Sequence, residues 1–231
     1  MNSILAGLVV LILGDSHMVH QGGLIDLLPD QLAAEGATVY AYGACGATPT
    51  DYLTPKTTDC GRTARAGTGA VTRETGMGLA VWNARDLIAK TKPDLIVVVM
   101  GDTMGAYKTP VFPKAWVWDQ VTALTGEIRS SSLSCDWIGP PWGTDNPAFG
   151  KTTGRVQELS DYLAQIVSPC HYVNSTAFAA PGAWKSIDGQ HLDQAGYKAW
   201  TAAIVKSIEA QQANPAPAAP AAGAASDDAP W

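Results

Sequence analysis

The chain has 231 residues, 46% of them hydrophobic and only 16% charged, with a formal net charge of −6. That length buries one substantial core, so a single domain is expected. The acidic balance gives no reason to expect nucleic acid or an anionic membrane as partner.

Ile4 to Leu13 is nearly all apolar, yet no Lys or Arg precedes it and it is too short to span a bilayer. It runs straight into Gly14-Asp15-Ser16, so it reads as a first core strand, Leu8–Leu13, with no export signal visible and no membrane insertion expected. Leu24 to Glu35 reads as a helix that Pro29 either kinks or restarts. Thr38–Tyr42 follows as a second strand, and residues 43–73, rich in Gly, Thr and Pro, read as a long loop of the kind that is functional or pinned. Gly78 to Lys90 is expected to be helical, and Leu95–Met100 is the clearest strand. Lys114–Arg129 forms a third helix and Leu133–Ile138 a fourth strand. A helix over Thr153–Val167, a short strand at His171–Val173 and a final helix over Gln194–Gln211 complete the pattern. Strands alternating with helices at these lengths give a parallel sheet covered on both faces. The domain spans residues 1–211, and residues 212–231, rich in Ala and Pro, read as a disordered tail or linker.

In such a sheet, ligands bind beyond the C-terminal ends of the strands. Gly14-Asp15-Ser16-His17, Gly43-Ala44-Cys45-Gly46 and Gly101-Asp102-Thr103-Met104 all fall there, as does Asp188-Gly189-Gln190-His191 after the fifth strand. A serine hydroxyl needs a base to take its proton, and a histidine base needs a carboxylate to fix its tautomer. Ser16, His191 and Asp188 supply these three groups. Ser16 stands at a strand-to-helix turn whose N–H groups can hold an oxyanion, and Gly46 lets another N–H approach.

These segments also resemble the four sequence blocks of the SGNH (GDSL-like) hydrolases. Gly14-Asp15-Ser16 is similar to the first, with Ser16 as nucleophile. Gly43–Thr48 is similar to the second, with Gly46 as the oxyanion-hole glycine, and Asp188–His191 is similar to the last, with the acid and the base. The third block departs, because Thr103 stands where the family's oxyanion-hole Asn is expected. Losing one such donor costs roughly 3–4 kcal/mol in the transition state. The resemblance implies a three-layer α/β/α domain with a five-stranded parallel sheet in the order 2-1-3-4-5. It also implies a serine esterase that works through an acyl-enzyme and needs no cofactor.

A rim rich in glycine and tryptophan, with no long apolar lid, favours a short acyl group, such as acetyl, on a carbohydrate. The rival readings are a polysaccharide O-acetyltransferase with the same triad, an esterase or thioesterase of longer chains, and a polysaccharide-binding module on a degenerate hydrolase fold. Trp142, after the fourth strand, is a candidate wall of the substrate site.

Four cysteines, Cys45, Cys60, Cys135 and Cys170, show no metal-ligand spacing, so no metal site is expected. An even count favours two disulfides and a secreted or periplasmic protein, with reduced thiols in the cytoplasm as the alternative. Three connectivities are open, and proximity in the chain favours Cys45–Cys60 with Cys135–Cys170. The sequence is silent on oligomeric state.

Overall fold

The structure, a computed structural model, describes residues 3–144 and 148–214. Val9–Gly14 forms β1, and its side chains alternate between two cores. Val10 and Ile12 belong to one buried cluster, Leu11 and Leu13 to the other. A strand covered on both faces has no polar side to show, which is why it reads as an unbroken apolar run. The first cluster is closed by α1 (Leu24–Ala34) and α5 (Gln194–Ala213), through Leu28, Trp200 and Ile204. The second is closed by α2 (Ala84–Thr91), α3 (Lys114–Ser130) and α4 (Thr153–Ile166), through Leu87, Leu124 and Leu159. The result is an α/β/α sandwich.

β1 pairs in parallel with β2 (Thr38–Ala44) and with Leu95–Val99, which is β5. Beyond β5 lie β6 (Ser134–Ile138) and β7 (His171–Val173), also parallel. These five strands take the expected 2-1-3-4-5 order. The sheet nevertheless has seven strands, because β3 (Gly61–Ala66) and β4 (Thr72–Thr75) add an antiparallel hairpin outside β2. Both lie in or at the end of the stretch that reads as a loop. Their sequences, Gly-Arg-Thr-Ala-Arg-Ala and Thr-Arg-Glu-Thr, lack the apolar alternation that marks a strand. Arginines fasten this hairpin: Arg62 to Glu74 and over the Trp82 ring, Arg65 to Asp30, and Arg73 to Asp26.

The expected helix over Gly78–Lys90 is shorter. It begins only at Ala84, where the Asn83 side chain accepts from the N–H groups of Arg85 and Asp86. Pro29 lies inside one continuous α1. Proline has no N–H to offer the Ile25 carbonyl, and Arg65 Nη1 on β3 donates to that oxygen instead, at 3.4 Å. The last helix runs on to Ala213 with Asn214 as its C-cap, and residues 215–231 of the expected tail lie outside the described residues.

Both favoured disulfides form. Cys45–Cys60 ties the turn after β2 to the start of β3, and Cys135–Cys170 ties β6 to the residue before β7. Two such bonds belong to an oxidising compartment. Among the described residues no helix is long and apolar enough to cross a membrane.

Candidate active site

Register brings the suspected segments to one edge. Gly14 at the end of β1 lies between Gly43 of β2 and Val99 of β5. Ser16, Gly46 and Thr103 therefore follow three adjacent strand ends within a few residues. Gly14 is needed for space, since a Cβ there would stand 2.3 Å from Cγ of Met18, the residue that closes the short 3-10 turn Ser16–Met18. The Tyr52 hydroxyl donates to the Gly14 carbonyl at 2.7 Å and holds the strand end in place.

Ser16 and His191 are buried, yet the two meet across the whole length of the chain. His191 Nε2 lies 2.8 Å from Ser16 Oγ, and His191 Nδ1 lies 2.7 Å from Asp188 Oδ2. The other carboxylate oxygen of Asp188 accepts from the N–H groups of Gln190 and His191, at 2.9 and 2.7 Å. Burial alone would raise the Asp188 carboxyl, but the hydrogen bonds from the His191 ring and from these two N–H groups outweigh it and hold the group below its ordinary value. With Nδ1–H directed at the carboxylate, Nε2 carries the lone pair that faces Ser16. The loop carrying these groups is closed by a bridge between Ser186 and Leu192, and Asp193 caps α5 directly after it. Gly143 lies so close beneath the loop that a Cβ would stand 2.1 Å from the Gly189 carbonyl.

Gly46 has φ +78° in the turn after β2, and a Cβ there would meet the Asp59 carboxylate at 2.1 Å. Neither the Ser16 N–H nor the Gly46 N–H donates to an acceptor among the described residues. Thr103 Oγ1 is buried and also has no hydrogen-bond partner there. Trp142 has a different place from the one expected. It is 6% exposed, and its indole N–H donates to the carbonyls of Thr176 and Ala179, so it packs the loop after β7 and forms no open wall.

Several further residues of the region have contacts that the sequence does not announce. Behind Ser16 lies a buried polar network centred on Asp102. Its Oδ2 accepts from His17 Nε2 at 2.8 Å and from Lys151 Nζ at 2.7 Å, and its Oδ1 accepts from the Tyr107 hydroxyl. The other nitrogen of His17 meets the Tyr197 hydroxyl at 2.9 Å. Burial works against the Asp102 charge, but Lys151 and His17 more than offset it and keep the carboxyl well below the usual range. Burial brings His17 down to about 4, so its ring is neutral at neutral pH. Asp15 accepts from the His17 N–H at 3.0 Å, and burial, reinforced by the Asp102 charge, pushes it up to about 7. His20 and Phe149 flank the His191 ring, with centroids 4.0 and 5.8 Å away.

No family model matches the chain. It is 38% identical over 224 residues to Protein BcsX of Komagataeibacter xylinus, an alignment spanning 94% of this chain and 85% of that one. Among solved structures it is similar to a GDSL-like lipase of Bacteroides thetaiotaomicron, with a TM-score of 0.56 and 15% identity over 87% of this chain and 88% of that chain. It is also similar to an acetylxylan esterase of Geobacillus stearothermophilus, with a TM-score of 0.55 and 14% identity over 88% and 94%. The chain thus belongs to the family of Protein BcsX and carries the fold of the SGNH (GDSL-like) hydrolases.

Proposed function

We propose that the protein is a secreted or periplasmic serine esterase that removes short acyl groups, acetyl above all, from carbohydrate. The observation that carries this reading is the series Ser16 Oγ, His191, Asp188, joined at 2.8 and 2.7 Å. His191 Nε2 takes the Ser16 proton as Oγ attacks the ester carbonyl, and Asp188 stabilises the imidazolium that forms. The oxyanion is held by the N–H groups of Ser16 and Gly46 and by the Thr103 hydroxyl, the three donors that the fold leaves without a protein partner. As the tetrahedral intermediate collapses, the departing sugar oxygen takes the proton from His191. Water then attacks the acetyl-Ser16 ester, with His191 again as base, and acetate leaves.

The carbohydrate half of the reading has two supports. One solved neighbour is an acetylxylan esterase. In addition, a cleft of about 590 Å³ runs beside the loop that carries Asp188 and His191, and Gln21, Gln194 and the paired Asp26 and Arg73 line it together with Ile187, Leu192 and Tyr197, a mixed polar and apolar lining suited to a sugar. The hairpin strand β4 supplies Arg73.

Hydrolysis of a short chromogenic acetyl ester tests the reading, with an octanoyl ester alongside and with Ser16→Ala as the control. Acetyl turnover exceeding octanoyl turnover is expected, and the variant should lose about 10⁴-fold or more in kcat. A folded wild-type protein that turns over neither ester is no simple esterase. In that case an acetyltransferase that needs its sugar acceptor becomes the better account.

A further inference from the structure

His20 takes no part in the mechanism above, yet it stands against the base. Its ring lies 4.0 Å from that of His191, centroid to centroid. One ligand atom from each of His20, Asp188 and His191 lies within 4.8 Å of the other two. We propose that these three side chains form a site for a transition-metal dication such as Zn²⁺, and that filling it switches the hydrolase off. The inhibitory half rests on the esterase reading; the binding half does not.

Two imidazoles and one carboxylate form a donor set that favours zinc, copper or nickel over magnesium or calcium, which prefer all-oxygen ligands. Three protein ligands plus water make an open, four-coordinate site, with metal–ligand distances of about 2.0–2.2 Å. Ligand atoms in such a site stand roughly 3.3–3.5 Å apart, inside the 4.8 Å that bounds the separations here. His20 and Asp188 are both only partly buried, which leaves an approach from solvent. His17, the next ring, is not available, because Tyr197 and Asp102 hold both its nitrogens.

Inhibition follows from proton counting, whichever His191 nitrogen the metal takes. A neutral imidazole has one N–H and one lone pair. Coordination through Nε2 displaces Ser16 directly. Coordination through Nδ1 forces the ring proton onto Nε2, which then donates to Ser16 Oγ and cannot accept its proton. Metal binding and general-base action are mutually exclusive.

Calorimetric titration of the full chain with Zn²⁺ tests this. One ion per chain is expected, with no heat from Mg²⁺. His20→Ala and His20→Gln, checked for unchanged circular dichroism, should each weaken binding roughly tenfold or more. Ser16→Ala should bind at least as tightly as wild type. Ester turnover should fall as Zn²⁺ binds and recover on adding EDTA, with the loss shifted to higher Zn²⁺ in the His20 variants. Wild-type affinity in both His20 variants, or a wild-type protein that ignores micromolar Zn²⁺, overturns the proposal. Zinc binding through His20 in a protein with no esterase activity leaves the site standing and removes only the esterase reading.

Discussion

Two histidines stand 5.2 Å apart, ring to ring, and each is paired with an aspartate. His191 meets Asp188 through Nδ1 and presents Nε2 to Ser16. His17 meets Asp102 through Nε2 and presents Nδ1 to Tyr197. The chemical units are the same, but their surroundings assign them different work. The Asp188 side chain is 29% exposed, and backbone N–H groups balance its charge. Asp102 is fully enclosed, and a buried lysine balances it. In the proposed reaction the first unit gains and loses a proton. The other has every donor and acceptor committed, so it ties the turn after β1 to the turn after β5.

The comparison breaks most sharply at Lys151. Removing one partner of a buried ion pair leaves an uncompensated charge and costs about 3–5 kcal/mol. Lys151→Met should therefore lower stability to urea by about that much. Adding Asp102→Asn removes the stranded charge and should recover a large part of the loss. A Lys151→Met protein as stable as wild type means that Asp102 is not the buried, charged centre described here. Equal losses in the single and double variants carry the same meaning.

Thr103 joins the two units, since it follows Asp102 in the chain and its buried hydroxyl has no hydrogen-bond partner among the described residues. Thr103→Val keeps the shape and deletes the donor. If the hydroxyl acts only in the transition state, kcat should fall about 10²-fold with KM nearly unchanged, as for loss of one oxyanion donor. Stability should hold or rise slightly, because a buried hydroxyl without a partner is replaced by a methyl group. Thr103→Asn supplies the longer donor usual in the SGNH hydrolases and should turn over faster than Thr103→Val. A Thr103→Val enzyme with unchanged kcat removes Thr103 from the mechanism.

The pairing in the His191 unit is readable in the sequence and that in the His17 unit is not, for a physical reason. Asp188 and His191 lie three residues apart in one motif, whereas His17 and Asp102 lie in two different strand-end motifs that only the folded sheet brings together. The central strands are legible because apolar runs such as Leu95–Val99 announce buried strands, while their order is what the resemblance to the SGNH hydrolases implies. Lys151 announces nothing. It lies in an irregular stretch, and only the folded chain brings it to Asp102. The β3–β4 hairpin is hidden likewise, since its stability comes from ladder pairing and arginine contacts rather than from an apolar face. Trp142 is the converse case: its position after β6 predicts a substrate wall, while its indole N–H is taken up by two loop carbonyls.

The pH dependence of stability, small in the wild-type protein, distinguishes the groups on either side of Ser16. Asp15 is pushed up to about 7 in the folded protein, so folding favours its protonated form. Its contribution is complete below the ordinary carboxylate range, near pH 4, and is lost as pH rises through about 7. His17 is brought down to about 4, so folding favours its neutral form. Its contribution is complete above about pH 6.5 and is lost as pH falls through about 4. The two slopes oppose each other across nearly the same window and largely cancel in the wild-type protein. Asp15→Asn imitates the protonated acid and leaves the histidine alone to titrate, so stability should rise with pH between about 4 and 6.5 relative to wild type. His17→Gln keeps a donor for Asp102 and leaves the acid alone, so relative stability should fall between about pH 4 and 7. Urea midpoints across this range read both slopes, each at most about 1.4 kcal/mol per pH unit. If the two variants slope the same way, burial does not drive Asp15 and His17 apart, and the neutrality of His17 needs another cause.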